Sequence, residues 1–474
     1  MRVSDRRLRV TVAIFGVGAV GVAVAGAVID PVSSQRTVVA TQAPLLNVRR
    51  APEALRVAVG RQRLAAALEV VLSDPAFADA RSKSCLVVRV DGGTVYADGG
   101  NRPVIPASTL KVLTAATALS LIAPGERFVT EARAGAAPVN GVIAGDLWLV
   151  GGGDPLLETP DYSRTQDHSP EIATNIVALA DKLVTTGITR ITGAVVGDDR
   201  RYDAVRRVKT WKRQYLASGE VGPIGALSIN DNFTIKNARG QRTGAVDPPR
   251  DAAAEFADLL VERGITVGSD ARGATSSDPA AAVVAPSVLA TIESQPIETV
   301  VQEVLMWSDN TAAEMLLKEV GFRSTNQQGS AESGVAAVKA FAATRSTAPY
   351  DSVDGSGLDR SDQVTCSLLA DVLAEEKPGG SLERALPVMG ESGTLRRRLR
   401  GDAAAGKVRA KTGSLNGVSS LAGFADTAGA SRAVFAFVGN GLASTATGVE
   451  IGNQVAQQLV RFPDAPPLES LSLP

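Results

Sequence analysis

Ser108-Thr-Leu-Lys111 places a hydroxyl and an amine three residues apart, at the expected start of a helix. Residues at i and i+3 share a helix face, so Lys111 can reach back over Ser108. A serine becomes a nucleophile only beside a base. The chain has one histidine, His168, in the polar stretch Ser163-Arg-Thr-Gln-Asp-His168-Ser-Pro, which reads as an exposed loop. A serine–histidine–acid triad is therefore excluded in practice, and the base would be the lysine. No GxSxG elbow occurs, which argues against an α/β-hydrolase. Ser356 and Ser392 lie in Gly-rich turns without a lysine three residues on.

Around this pair the chain is long enough, at 474 residues, for two or three domains. Its 49 basic and 50 acidic residues balance, so it lacks the basic excess that nucleic acid demands. Aromatics make up 4%, too few for base-stacking platforms. Two lone cysteines and one histidine allow no metal pattern, and no metal or organic cofactor is expected. Cys85 and Cys366 could form one disulfide or stay as two buried thiols.

Arg2, Arg6, Arg7 and Arg9 precede an uncharged run from Val10 to Ile29, long enough to cross a bilayer. Basic residues on the near side favour keeping them cytoplasmic, with the rest of the chain outside. An uncleaved anchor over residues 10–29 is favoured by its length. A signal peptide cleaved near Ala23-Val-Ala25 is the rival, and both readings export the chain. Gly16-Val-Gly18-Ala-Val-Gly21 matches GxGxxG only formally, because no strand precedes it. Gly401-Asp-Ala-Ala-Ala-Gly406-Lys407 is followed by Val408 where a P-loop needs Ser or Thr.

Residues 1–32 thus read as signal or anchor and 33–58 as a linker, and the polar stretch from 30 to about 58 carries Pro31, Pro44 and Pro52. A helix is expected over Gln62–Leu72. Cys85–Val90, Asp91-Gly-Gly93 and Thr94–Ala97 read as a β-hairpin. The Ser108 helix runs to about Ile122, with Leu110, Leu113, Thr117 and Leu121 as its buried stripe, and Pro124-Gly125 ends it. Between 136 and 289 the texture changes. Short strands at Asp146–Val150, Ile191–Val196 and Ala226–Ile235 alternate with helices near Glu171–Thr186 and Arg250–Arg263. Gly151-Gly-Gly-Asp-Pro155 reads as a tight turn.

Helices return at Ile297–Trp307 and Thr311–Val320. Lys407–Gly413, Val418–Ala425 and Arg432–Gly439 read as strands, with Asn416-Gly417 as a hairpin turn. A last helix spans Gly448–Val460. The pattern implies an α+β domain from 59–135 and 290–474, interrupted by a mixed α/β domain at 136–289. Arg396-Arg-Arg-Leu-Arg400 could bind anionic wall polymer, though a solvated basic face is the simpler reading.

Three motifs follow in order: Ser108-x-x-Lys111, Ser308-Asp-Asn310 and Lys411-Thr-Gly413. Singly each is weak, and Ser308-Asp-Asn310 alone could be a helix cap. Together they form the set of class A β-lactamases and penicillin-binding proteins. The chain resembles the D-alanyl-D-alanine carboxypeptidases of the penicillin-binding protein 4 type, the class C low-molecular-mass group. The resemblance is carried by Pro106-Ala-Ser-Thr-Leu-Lys111, Ser308-Asp-Asn-Thr-Ala-Ala-Glu314, Asp354-Gly-Ser-Gly-Leu358, Gly393-Thr-Leu395 and Lys411-Thr-Gly-Ser-Leu415. It covers roughly 60 to 462. The 200 residues from Ser108 to Ser308 suit a family that inserts extra domains there.

The resemblance implies an antiparallel sheet flanked by helices, with a helical lobe. It implies peptidoglycan stem peptides ending in D-Ala-D-Ala as substrates and β-lactams as inhibitors, in the bacterial cell envelope outside the cytoplasm. Ser108 would be the nucleophile and Lys111, kept neutral by burial and nearby cations such as Lys411, the base. Ser308 would relay a proton, Asn310 would hold the substrate amide, and Lys411, Thr412, Gly413 and Ser414 would bind the terminal carboxylate. The N–H groups of Ser108 and Ser414 would form the oxyanion hole. A β-lactamase or esterase on the same fold and a non-catalytic wall-binding scaffold are the alternatives. Cross-link endopeptidase activity is a further possibility within the family.

Overall fold

The computed structural model describes residues 51–167, 171–235 and 242–465. The expected anchor at 10–29, and His168, lie outside them. Among the described residues no helix is long and apolar enough to cross a membrane.

The organising element is a five-stranded sheet in the order Val408–Leu415, Val418–Asp426, Arg432–Asn440, Cys85–Val90, Gly93–Asp98. All its neighbours are antiparallel. The N-terminal hairpin thus completes a sheet whose other strands come from the C-terminal part of the chain. Its turn places Asp91 and Gly92 at φ 49 and 76, the left-handed values that a two-residue hairpin loop of matching twist requires.

Side chains alternate across a strand, and here both faces are covered. Val434, Ala436 and Val438 face the helical lobe, with Leu113, Val301, Leu305, Leu316 and Leu369. Ala433, Phe435 and Phe437 face Leu64, Leu68, Val455 and Leu459 of the terminal helices Ala51–Leu72 and Thr445–Val460. A central strand buried on both sides reads as a near-continuous apolar run, which is why Arg432–Gly439 was legible. Truncating Phe437 to Ala would cost about 3–5 kcal/mol.

The helical lobe contains Lys111–Leu121, Ile297–Trp307, Asn310–Thr325, Ala331–Ala343 and Cys366–Ala374. Cys85 and Cys366 form a disulfide with Cα atoms 5.9 Å apart, tying the sheet to this lobe. Of the two readings left open by the sequence, the bonded one is found.

A second, mixed sheet has the order Arg272–Gly273, Val195–Asp198, Leu147–Val150, Val129–Ala134, Ser287–Glu293. Its first three strands run parallel, and the rest pair antiparallel. Helices Val177–Thr185 and Pro248–Glu262 cover it through Leu179, Phe256 and Leu260. The strands reach from Val129 to Glu293, past the 136–289 bounds expected.

Other departures have local causes. The helix Ala51–Leu72 begins inside the expected linker. Leu121, assigned to the buried stripe, is the last residue of its helix and is 41% exposed. The helix expected from Glu171 begins at Val177. Ala226–Ile235 is not one strand, because only Phe233–Ile235 pairs. Asn230, Asp231 and Asn232 all have positive φ, which Asn and Asp tolerate better than other non-glycine residues. The Asn230 Oδ1 accepts from the Thr159 N–H at 2.8 Å, and the Asn232 Nδ2 donates to the Pro223 carbonyl at 2.8 Å.

Candidate active site

Ser108 sits on a 3-10 turn, Ala107–Leu110, that leads directly into the helix Lys111–Leu121. Ala107, just before it, is fully buried at φ 49, a strained conformation for a residue with a Cβ. Packing enforces it. A Cβ on Gly357 would lie 2.0 Å from the Ala107 carbonyl oxygen, so only glycine fits there. A Cβ on Gly413 would lie 2.9 Å from the Ser108 nitrogen and 2.2 Å from Ser420 Oγ. Gly357 and Gly413 are therefore the places where two other segments close against the backbone of the Ser108 turn.

Lys111 is fully buried. Its Nζ donates to Ser108 Oγ at 3.0 Å, Asn310 Oδ1 at 2.7 Å and the Ser356 carbonyl at 2.7 Å. Three acceptors match the three N–H bonds of an ammonium. A neutral amine keeps two and turns its lone pair to the third partner. Two of these acceptors carry no hydrogen, so the lone pair is left for the Ser108 hydroxyl. Burial pulls the Lys111 pKa down to about 8, while the charges of Asp354, Glu314, Asp309 and Asp362 push it up.

Lys411 lies on the strand Val408–Leu415 and is equally buried. Its Nζ donates to the Thr412 carbonyl at 2.9 Å. Its pKa is held well below the ordinary lysine value, by burial first and by Lys111 second. Desolvation leads for both amines, and the charge of Lys111 acts against that of Lys411.

Ser308 ends the helix Ile297–Trp307 in a left-handed conformation, φ 64 and ψ 34. It lines the same cavity as Ser108, but among the described residues its hydroxyl has no hydrogen-bond partner. Lys111 Nζ is bonded to Ser108, Asn310 and Ser356 rather than to Ser308. Asp309 caps the next helix through the Ala312 N–H at 2.9 Å. Asn310 opens that helix and donates through Nδ2 to the Glu220 carbonyl at 2.8 Å.

The cavity holds about 670 Å³ and collects Ser108, Ser308, Asn310, Thr412, Gly413 and Ser414. Lys411 stands behind this wall. Thr412 Oγ1 is hydrogen-bonded to Thr394 Oγ1 at 2.8 Å. A larger cavity of about 890 Å³, lined by Arg127, Arg200, Arg201 and Arg323, contains none of these groups. The chemistry, not the size, identifies the site. Among the described residues no cluster of three or more His, Cys, Asp or Glu is placed to hold a metal ion.

Several wall residues escaped the sequence reading. Lys212, Gln214, Tyr215 and Glu220 come from the stretch between the first two motifs. Trp211 beside them donates from Nε1 to Asp354 Oδ2 at 2.8 Å. No local pattern announces such contacts. Arg398 belongs to the run read as a solvated basic face. Instead it lines the cavity, with Nε on Asn453 Oδ1 at 2.8 Å and Nη2 on the Val449 carbonyl at 3.0 Å. Burial lowers its pKa to about 10. Arg397 and Arg400 do face solvent.

A family model described as the D-Ala-D-Ala carboxypeptidase 3 (S13) family matches residues 64–255 and 237–462. The chain is 28% identical over 434 residues to a D-alanyl-D-alanine carboxypeptidase of Actinomadura sp. (strain R39), covering 75% of this chain and 77% of that one. It is 30% identical over 423 residues to a carboxypeptidase of Mycobacterium tuberculosis, covering 85% and 84%. Among solved structures, penicillin binding protein 4 of Haemophilus influenzae superposes with a TM-score of 0.67 at 22% identity, covering 81% of this chain and 98% of that one. The penicillin-binding fold expected from the motifs is therefore the fold observed.

Proposed function

The chain belongs to the D-Ala-D-Ala carboxypeptidase 3 (S13) family, and from that premise we propose that Ser108 is its nucleophile and Lys111 its base. The three hydrogen bonds at Lys111 Nζ carry this reading. Ser108 Oγ attacks the carbonyl carbon between two D-alanines as Lys111 takes the hydroxyl proton. The N–H groups of Ser108 and Ser414 receive the developing oxyanion. Collapse breaks the C–N bond, and the leaving amine takes a proton passed from Lys111 through Ser308. Water, deprotonated by Lys111, then cleaves the Ser108 ester.

Thr412, Gly413 and Ser414 bind the terminal carboxylate, with Lys411 supplying positive charge behind them. A bound carboxylate favours a charged Lys411, which in turn favours a neutral Lys111. Peptidoglycan stem peptides ending in D-Ala-D-Ala are the substrates and β-lactams acylate Ser108. The protein acts outside the cytoplasm, held by residues 10–29 or released after cleavage, where its disulfide is stable.

Labelled penicillin and intact-mass spectrometry test the assignment. The expected result is one stable adduct on the wild-type protein and none on Ser108→Ala. An adduct that persists on Ser108→Ala would sink the reading, and rapid release of the wild-type adduct would favour a β-lactamase.

A further inference from the structure

Glu314 lies one turn after Asn310 on the same helix, so the two share a face. It is 2% exposed. Its Oε1 accepts from the Gly355 N–H at 3.0 Å and the Ser356 N–H at 2.8 Å. The Ser356 carbonyl is the group that receives Lys111 Nζ at 2.7 Å. The same helix therefore meets the amine twice, directly through Asn310 and indirectly through Glu314 and the 355–356 backbone.

The surrounding loop is pinned so that the Ser356 carbonyl stays on the amine. The Gly355 carbonyl accepts from Thr114 Oγ1 at 2.8 Å, and Thr114 stands three residues after Lys111. Asp354 accepts from the Gly357 N–H at 2.7 Å and the Asp359 N–H at 2.8 Å. A buried carboxyl is an expensive way to hold a loop. Burial, with the Asp354 charge behind it, raises the Glu314 pKa above the usual carboxylate range.

We propose that Glu314 is a positioning residue for the reaction, holding the Ser356 carbonyl against the Lys111 amine. This rests on the reading of Lys111 as the base. The charged groups facing the pair are Asp309 and Lys318 on the Glu314 helix, Asp354 and Asp362 on the loop, and Lys411 on the strand.

The test is the rate of acylation by labelled penicillin against pH, on purified wild type, Glu314→Ala, Glu314→Gln and Lys111→Ala. Glu314→Gln keeps an acceptor oxygen. It is expected to retain a rate within about threefold of wild type. Glu314→Ala is expected to lose about 10- to 100-fold, as misplaced catalytic groups do. A Glu314→Ala protein at the wild-type rate overturns the proposal. So does a Glu314→Gln protein as slow as Glu314→Ala. If Glu314→Ala does not fold, Glu314→Gln decides alone. Full acylation of Lys111→Ala, or no acylation of wild type, removes the catalytic reading itself and the proposal with it.

Discussion

The Asn310 amide oxygen accepts from Lys111 Nζ at 2.7 Å, and its nitrogen donates to the Glu220 carbonyl at 2.8 Å. The Glu220 contact fixes which end of the amide faces the lysine. Asn310→Asp would put a carboxylate beside the amine and oppose the Glu220 carbonyl with a second acceptor. A nearby negative charge favours ammonium. Acylation by penicillin should fall by about 100-fold or more, in the range of a lost general base. Its rise should move to higher pH, and an unchanged rate–pH profile would contradict the role.

With Lys111 as the proposed base, its pKa, lowered by burial to about 8, predicts the pH response of acylation. An ordinary lysine titrates near 10.4. Lowering the value favours the neutral amine, so acylation should rise with pH and level off above about 8. A rise that continues past 10 would mean that burial does not perturb the base. Stopped-flow acylation across pH 6–11 reads this directly.

Gly413→Ala should damage chemistry more than stability. The new Cβ would press on the Ser108 nitrogen at 2.9 Å and on Ser420 Oγ at 2.2 Å. The Ser108 N–H is half of the proposed oxyanion hole. Removing one such donor costs about 100- to 1,000-fold in rate, while overpacking costs about 1–3 kcal/mol. Paired acylation and urea-unfolding measurements would separate the two.

Trp211→Phe should lower stability by about 1–3 kcal/mol, because Asp354 Oδ2 loses the indole donor in a buried setting. Urea unfolding with intact secondary structure at zero denaturant is the check. An unchanged midpoint would show that the 211–220 stretch is not anchored through this bond.

Removing the disulfide with Cys85→Ala/Cys366→Ala should destabilise the chain strongly. The bridge spans 281 residues, for which chain-entropy reasoning gives about 5 kcal/mol. Thermal unfolding with and without reductant would report it.

The periodic elements were legible because their signal is local. Ile297–Trp307 was bounded correctly from its apolar spacing, and Cys85–Val90 from an apolar run ended by Asp91-Gly-Gly93. The Ala226–Ile235 run failed because three successive left-handed residues break it, and Asn and Asp permit that without demanding it. Leu121 failed because a helical period does not say where the neighbouring core ends. The Arg396–Arg400 run failed at Arg398, whose partners Val449 and Asn453 are about fifty residues away in the chain.

By itself the sequence determined the pairing of Ser108 with Lys111. Ser108 and Lys111 are one turn apart, and a helix brings i and i+3 together whatever surrounds it. The order of the three motifs and the lack of a usable histidine then limited the chemistry. Tertiary structure decided the state of that pair. The full burial of Lys111, its third acceptor at Ser356 and the carboxyls of Glu314, Asp354 and Asp362 come from segments some 200 to 250 residues downstream. Desolvation sums over everything packed around a group. The charge on Lys111 is therefore a property of the whole fold, while its reach to Ser108 is a property of four residues.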